Sequence, residues 1–413
     1  MSQLQKALLT ASLMFLGLNG CGGTEVQEAR TASTRQDVAL APPLPPGCLL
    51  ESPDTDQDGI CDAVEATLGT HPNSSDTDGD RLSDYAEAYG LDGVDLPSLG
   101  ANPRRKDLFV EVDYYPGLLP AQTTLDRVTS AFTTAPVINP DGSTGVSLHL
   151  VVDEEIASAD ADEDLDPVWT EFDLIKAKYF AASRAPFFHY LLLANEHSGG
   201  NISGSSRGIP GHDLVVTLGF AGGATALQLA GTLMHELGHN LGLRHGGDDN
   251  ATFKPNYLSI MNHEYQFHGF TLGGVANVLD YSRVRVAAFN EAAVNEVAAF
   301  TPVAPTTEGD LALIGGLRFN NRLVIGNASA NLSFNANLVI EATSYALDFN
   351  HNGVKNNVFP ASQNDWLALV YDGAGQIGDS QLGALRSPSR EQRFLVAPDQ
   401  MEPCLTVDER RTP

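Results

Sequence analysis

The run His235-Glu236-Leu237-Gly238-His239-Asn240-Leu241-Gly242-Leu243-Arg244-His245 places three imidazoles, one carboxylate and two glycines in eleven consecutive positions. On a helix, residues four apart share a face and lie about 6 Å apart along the axis. His235 and His239 can therefore grip one ion. Glu236 falls about 100° round from His235, near that ion but off the ligand axis, where a carboxylate takes a proton from water. Gly242 sits where a left-handed residue ends a helix and reverses the chain, returning His245 as a third ligand. Three neutral nitrogens leave the fourth tetrahedral position open, as in a catalytic rather than a structural zinc site. Leu227, Leu229, Leu233, Leu237 and Leu241 supply an apolar side on which such a helix can be buried.

The pattern resembles the zinc-binding motif of the metzincin clan of zinc peptidases. The clan's other mark is a tight turn with a methionine beneath the metal, and Leu258-Ser259-Ile260-Met261-Asn262, with Met261 16 residues after His245, is similar to it. The resemblance implies peptide-bond hydrolysis with Zn2+ bound by His235, His239 and His245 and with Glu236 as general base. It implies an extended protein or peptide substrate paired along an edge strand, for which Leu214 to Gly219 is the candidate. Several metzincins place a tyrosine two residues past the methionine. His263 stands there, with Tyr265 two further on, so either is a candidate transition-state partner. Asn102-Pro103 and Lys254-Pro255-Asn256-Tyr257 extend the likeness to a group of bacterial metzincin-like proteins over residues 48–300. Two other readings stay open: a calcium-stabilised surface binding protein with a non-catalytic zinc site, and a zinc hydrolase that does not act on peptides.

Upstream lie two related acidic stretches. Asp54, Asp56, Asp58, Asp62 and Glu65 recur as Asp76, Asp78, Asp80, Asp84 and Glu87, at positions 1, 3, 5, 9 and 12 of a calcium loop. Alternating carboxylates on a tight turn point at one cation, and a glutamate on the outgoing helix closes the shell. The stretches resemble thrombospondin type 3 and EF-hand-like repeats, which implies structural Ca2+. Position 6 is Gly59 in the first loop and Arg81 in the second, where a non-glycine must take up a strained turn. Asp348-Phe349-Asn350-His351-Asn352-Gly353 reads either as a further loop or as an Asn-Gly turn, since its twelfth position is Phe359.

The 413-residue chain has a formal net charge of −28, from 52 acidic against 24 basic residues, which disfavours phosphate backbones and excludes nucleic acid as an expected partner. Lys6 followed by the apolar run Ala7 to Leu18 reads as a targeting segment too short to span a membrane. Leu18-Asn19-Gly20-Cys21 resembles a bacterial lipobox, which implies a lipid on Cys21; an ordinary signal peptide cut nearby is the alternative. Either places the mature protein outside the cytoplasm, as an outer-membrane or cell-surface lipoprotein or a secreted protein. Cys48 and Cys61 are the favoured disulfide, with Cys404 left unpaired or bonded to one of them.

The organisation expected is a signal peptide over 1–20, a lipid anchor and Pro-rich tether over 21–47, calcium repeats over 48–100, a metzincin-like peptidase over 101–300 and a C-terminal extension of unknown role over 301–413. The fold class is α+β: a twisted, mostly parallel mixed sheet with an active-site helix, plus small calcium-stabilised repeats. Strands are predicted at 107–114, 146–152, 188–194 and 213–218, and helices at 123–132, 171–182 and 224–240. Asp153 to Asp166 reads as an acidic surface loop. Helical character is predicted again over 282–299, followed by small β-hairpins over 301–360. Oligomeric state is not legible.

Overall fold

The computed structural model describes residues 42–200, 202–218, 224–297, 300–324 and 326–378. The targeting segment, Cys21, most of the tether and Cys404 lie outside the described residues.

Asp107-Leu108-Phe109-Val110-Glu111-Val112-Asp113-Tyr114 is β1 (Asp107–Tyr114), and it is buried along nearly its whole length, as a parallel strand covered on both faces must be. Three short helices precede it: α1 (Asp62–Leu68), α2 (Asp84–Tyr89) and α3 (Leu96–Leu99). After it come α4 (Gln122–Thr133), β2 (Ser147–Glu155), β3 (Asp164–Leu165) and α5 (Val168–Tyr179). The chain continues through β4 (Phe188–Leu193), β5 (Glu196–His197), β6 (Gly204–Ser206) and β7 (Asp213–Val216) into α6 (Ala226–Asn240). Next stand α7 (His263–Gln266) and the hairpin of β8 (Phe270–Leu272) with β9 (Val275–Val278).

The main sheet has the order β2-β1-β4-β7-β6, parallel except for β6. Its two faces follow the period-2 alternation of β1. Leu108, Val110 and Val112 join the core under α4 and α6, while Phe109 joins the core under α5. On the α5 side, Glu111 takes an ion pair from Arg184 at 2.5 Å, and Asp113 accepts from the Tyr190 hydroxyl at 2.9 Å. Both buried carboxylates are thus partnered.

Two expectations change. The substrate edge is not the Leu214–Gly219 stretch: Leu214 to Val216 lie in β7, an interior strand between β4 and β6, and the edge is the three-residue antiparallel β6. So short a strand, containing glycine and two serines, has almost no apolar alternation to detect. The helix expected over 282–299 does not form. Val284 and Val286 are buried between more exposed neighbours, a period of two that belongs to extended chain, and among the described residues of that span only Glu291–Ala293 makes a 3-10 turn. The 301–360 segment does carry a hairpin, Arg318–Phe319 against Arg322–Leu323, turning on Asn320 and Asn321, both at positive φ. It also carries an unforeseen helix at Glu308–Ala312.

The described residues beyond 301 are built into the same body. Leu311, Phe319, Phe334 and Phe349 share a core with Leu258 and Phe270, and Trp366 and Tyr371 return to the core under α6. The expected Cys48–Cys61 disulfide is present.

Where α6 meets α7, a Cβ on Gly231 would lie 1.9 Å from the Gln266 carbonyl oxygen. Gly→Ala inside a helix ordinarily stabilises by about 1 kcal/mol. At Gly231 the sign should reverse: Gly231→Ala is expected to destabilise by about 2 kcal/mol through overpacking against backbone, measured by urea denaturation. A neutral or stabilising result would show that α6 and α7 are not in this contact.

Candidate metal centres

The helix α6 begins at a capping box, with Thr225 and Gln228 bonding reciprocally across the first turn. Its last two turns are completely buried and carry His235, Glu236 and His239. After the helix, Gly242 (φ 89°) reverses the chain, with Gly242 N–H donating to the His239 carbonyl and Leu243 N–H to the Gly238 carbonyl, both at 2.9 Å. That reversal brings His245 in as expected, and one ring nitrogen each of His235, His239 and His245 lies within 4.8 Å of the others.

The tautomers follow from the second nitrogens. His235 Nδ1 donates to the Ile260 carbonyl at 3.0 Å and His239 Nδ1 to the Leu243 carbonyl at 2.8 Å, which leaves each Nε2 with its lone pair. His239 Nε2 faces His245 Nε2 at 3.2 Å, and His235 Nε2 is buried with no hydrogen-bond partner. Burial pushes His239 down to about 4 and His235 and His245 well below the usual histidine range. All three are neutral at physiological pH, the form a zinc ion requires. Neutral, convergent and water-excluded nitrogens fit the metal.

Two glycines admit what surrounds the site. A Cβ on Gly238 would lie 2.3 Å from Met261 Sδ, so the bare backbone there is what lets the Met-turn press against the helix. A Cβ on Gly204, in the edge strand β6, would lie 2.8 Å from Glu236 Oε1, which places the carboxylate beside the strand. Gly204 was not legible beforehand, since nothing in sequence marks a glycine in a three-residue strand. The turn itself is held by Asn262, whose side chain donates to the carbonyls of Lys254 and Tyr257. Lys254, fully buried, donates to the Gly246 carbonyl at 3.1 Å and to Asp249 at 2.7 Å, bracing the chain just past His245.

Of the two candidates beyond Met261, the structure brings His263 to the site. Its ring centroid is 4.3 Å from that of His245 and 5.6 Å from that of His235, and its buried Nε2 has no partner. Tyr265 packs on Phe270 in the separate core that contains Leu258 and Leu311.

The acidic loops form as a matched pair. Asp54 Oδ2 accepts from Gly59 N–H at 3.1 Å, and Asp76 Oδ2 from Arg81 N–H at 3.0 Å. Arg81 adopts φ 82° at the position where Gly59 has φ 99°, the strained turn foreseen. Asp54, Asp56 and Asp58 converge within 4.8 Å, as do Asp76, Asp78 and Asp80. Asp62 and Asp84 each turn both carboxylate oxygens to a threonine, Thr55 and Thr77. Glu65 and Glu87 are buried, and none of their four carboxylate oxygens has a partner. Desolvation and neighbouring carboxylates push Glu65 up to about 7 and Glu87 well above the usual range. Such oxygens fit a hard divalent cation. The structure adds Asp107, the first residue of β1, whose carboxylate lies within 4.8 Å of those of Asp80 and Glu87. No repeat spacing points to it.

At Asp348 the loop bond recurs, with Gly353 N–H donating to Asp348 Oδ2 at 2.9 Å. Phe359, at the closing position, is buried and pairs with Phe289 across a two-stranded ladder.

The Matrixin family model matches residues 112–277, and the model for the bacterial TSP3 repeat matches residues 54–75. A comparison with curated protein sequences returned no match. The spacing and convergence of His235, His239 and His245 agree with the first of these matches, and the geometry of the first acidic loop with the second. The chain thus carries a matrixin domain, of the metzincin clan of zinc metallopeptidases, behind a bacterial TSP3 repeat.

Proposed function

We propose that the protein is an exported zinc-dependent endopeptidase in which Glu236 is the general base. The observation that carries this reading is the convergence of three neutral imidazole nitrogens within 4.8 Å beside a buried glutamate that borders an edge strand. Zinc bound there supplies Lewis-acid polarisation of a carbonyl and draws the pKa of water toward neutrality. Glu236 accepts a proton from the attacking water and returns it to the leaving amine. The edge strand β6 offers main-chain groups to an extended peptide, which Gly204 sets close to Glu236. His263, kept neutral by burial and pushed down to about 3, takes the place that tyrosine holds in related enzymes and donates to the developing oxyanion.

Calcium in the acidic loops and the Cys48–Cys61 disulfide both suit an oxidising, calcium-rich exterior. The lipobox-like Leu18-Asn19-Gly20-Cys21 supports a lipid on Cys21 as the membrane attachment.

Purified mature protein should cleave casein or gelatin, lose activity to a zinc chelator and regain it with added zinc. Glu236→Gln should lower kcat on the order of 10³-fold while still binding one zinc. If wild type binds zinc but cleaves nothing in a broad peptide library, the surface-binding reading takes over; cleavage of esters alone would point to a non-peptidase hydrolase. His263→Phe should reduce kcat about 10²-fold with KM and zinc content little changed, and His263→Tyr should recover much of the loss. Equal activity of all three forms would remove His263 from the mechanism. For the anchor, Cys21→Ser should abolish incorporation of labelled palmitate and move the protein from the membrane to the soluble fraction; an unchanged distribution would favour an ordinary signal peptide.

A further inference from the structure

Glu87 is 1% exposed, and neither of its carboxylate oxygens has a partner. It faces not only Asp80 of its own loop but also Asp107, which opens β1, an interior strand of the main sheet. Around this point the two regions are already laced together. Asp107 N–H donates to Asp80 Oδ2 at 2.6 Å, and the Lys106 ammonium donates to the Asp78 carbonyl. Asp107 is held in place from its far side: its Oδ1 meets His149 Nε2 at 2.5 Å, and its Oδ2 accepts from Asn102 N–H at 2.7 Å. The His149 ring in turn stacks on Phe109 at 4.3 Å.

The charges do not balance locally. Among the described residues, Asp76, Asp78, Asp80, Glu87 and Asp107 stand against the ammonium of Lys106, with the His149 ring bonded to Asp107. A buried carboxylate without a donor costs several kcal/mol unless it binds a cation or a proton. Burial and the neighbouring carboxylates push Asp80 and Glu87 well above the ordinary carboxylate range. A hard divalent ion relieves that repulsion, and an all-oxygen donor set selects calcium over zinc.

We propose that Asp80, Glu87 and Asp107 hold one calcium ion that straddles the second acidic loop and the first strand of the peptidase sheet, fastening the repeat to the catalytic domain. This rests on the calcium reading of that loop and adds the ligand from β1. The ion ties the N-terminus of β1 to α2, so calcium stiffens the sheet whose other strands carry the edge and lead into α6. The repeat is then a part of the peptidase body and not an independent spacer.

The test is calcium titration of the full mature chain, with calcium chloride as the probe and magnesium chloride as control, followed by isothermal calorimetry and thermal midpoint. Glu87→Gln and Asp107→Asn should each weaken the same calcium site at least tenfold and remove most of the calcium-induced rise in midpoint. Asp58→Asn, in the first loop, should leave that site intact. If Glu87→Gln weakens the site and Asp107→Asn does not, the ion belongs to the loop alone and the bridge is refuted. If neither changes calcium binding, the calcium reading of the second loop falls as well, whereas zinc content and casein cleavage, read separately, report on the peptidase reading. Should Asp107→Asn fail to fold, hydrogen exchange on wild type decides. Added calcium should slow exchange in residues 101–114 together with 76–87, and slowing confined to 76–87 overturns the bridge.

Discussion

The site depends on a constraint of orientation: three imidazoles must present lone pairs to one point inside a region closed to water. An imidazole has two nitrogens, and a neutral ring puts its proton on one of them. Backbone carbonyls settle which. Ile260 and Leu243 take the Nδ1 protons of His235 and His239, so both residues serve as fixed acceptors at the places where the chain passes α6. Leu243 can do this only because Gly242 reverses the chain immediately after the helix, and Ile260 only because the Met-turn runs alongside it. The backbone route around α6 is thus the orienting shell of the metal.

That route is enforced by groups remote in sequence. Asp365 Oδ2 accepts from the Tyr257 hydroxyl at 2.8 Å, the Ser259 hydroxyl at 2.6 Å and the Ser282 N–H at 2.8 Å. Trp366 donates to Asp280 at 2.9 Å, and Val370 N–H donates to the Leu241 carbonyl at 2.9 Å, right at the end of α6. The segment around 365–370 therefore straps the Met-turn and the helix terminus from below. Removing it would free three buried donors at once, and each is expensive to leave unmade.

Local signals and distant ones differ in how legible they are. The helix and its ligands were readable because every requirement lies within eleven residues: period for the two histidines, a left-handed glycine for the third. The parallel strands were readable because burial on both faces demands unbroken apolar runs, as in Phe188-His189-Tyr190-Leu191-Leu192-Leu193, where even His189 is buried and bonded to Asn240. The paired acidic loops were readable from a repeated spacing, down to the strain at Arg81. What escaped is what tertiary contact decides. Gly204 and Gly231 matter for what approaches them from elsewhere. Asp107 gains its role from a helix that lies 20 residues upstream. The 282–299 stretch reads as helix because its valines satisfy a helical count as readily as an alternating one, and packing against 301–303 and 345 selects the extended form.

Buried carboxylates of one chemical type fall into two classes in this protein, and the division separates scaffold from metal-seeking groups more sharply than burial does. Asp365 and Glu291 are both fully buried, and both accept several protein donors: Glu291 takes Asn357 through its backbone N–H at 2.8 Å and its side-chain amide at 2.7 Å. Such groups have their hydration replaced by protein. Glu65 and Glu87 are as deeply buried, yet their oxygens meet no donor and face other carboxylates. A raised pKa alone does not mark the metal-seeking groups, since burial pushes the donor-bound Asp365 up to about 6 as well. The distinction lies in what the oxygens face. Asp365 and Glu291 are met by protein donors, whereas Glu65 and Glu87 are met by none. Repulsive neighbours around donor-free, buried oxygens suit a small ion of charge two, as the match to the bacterial TSP3 repeat suggests.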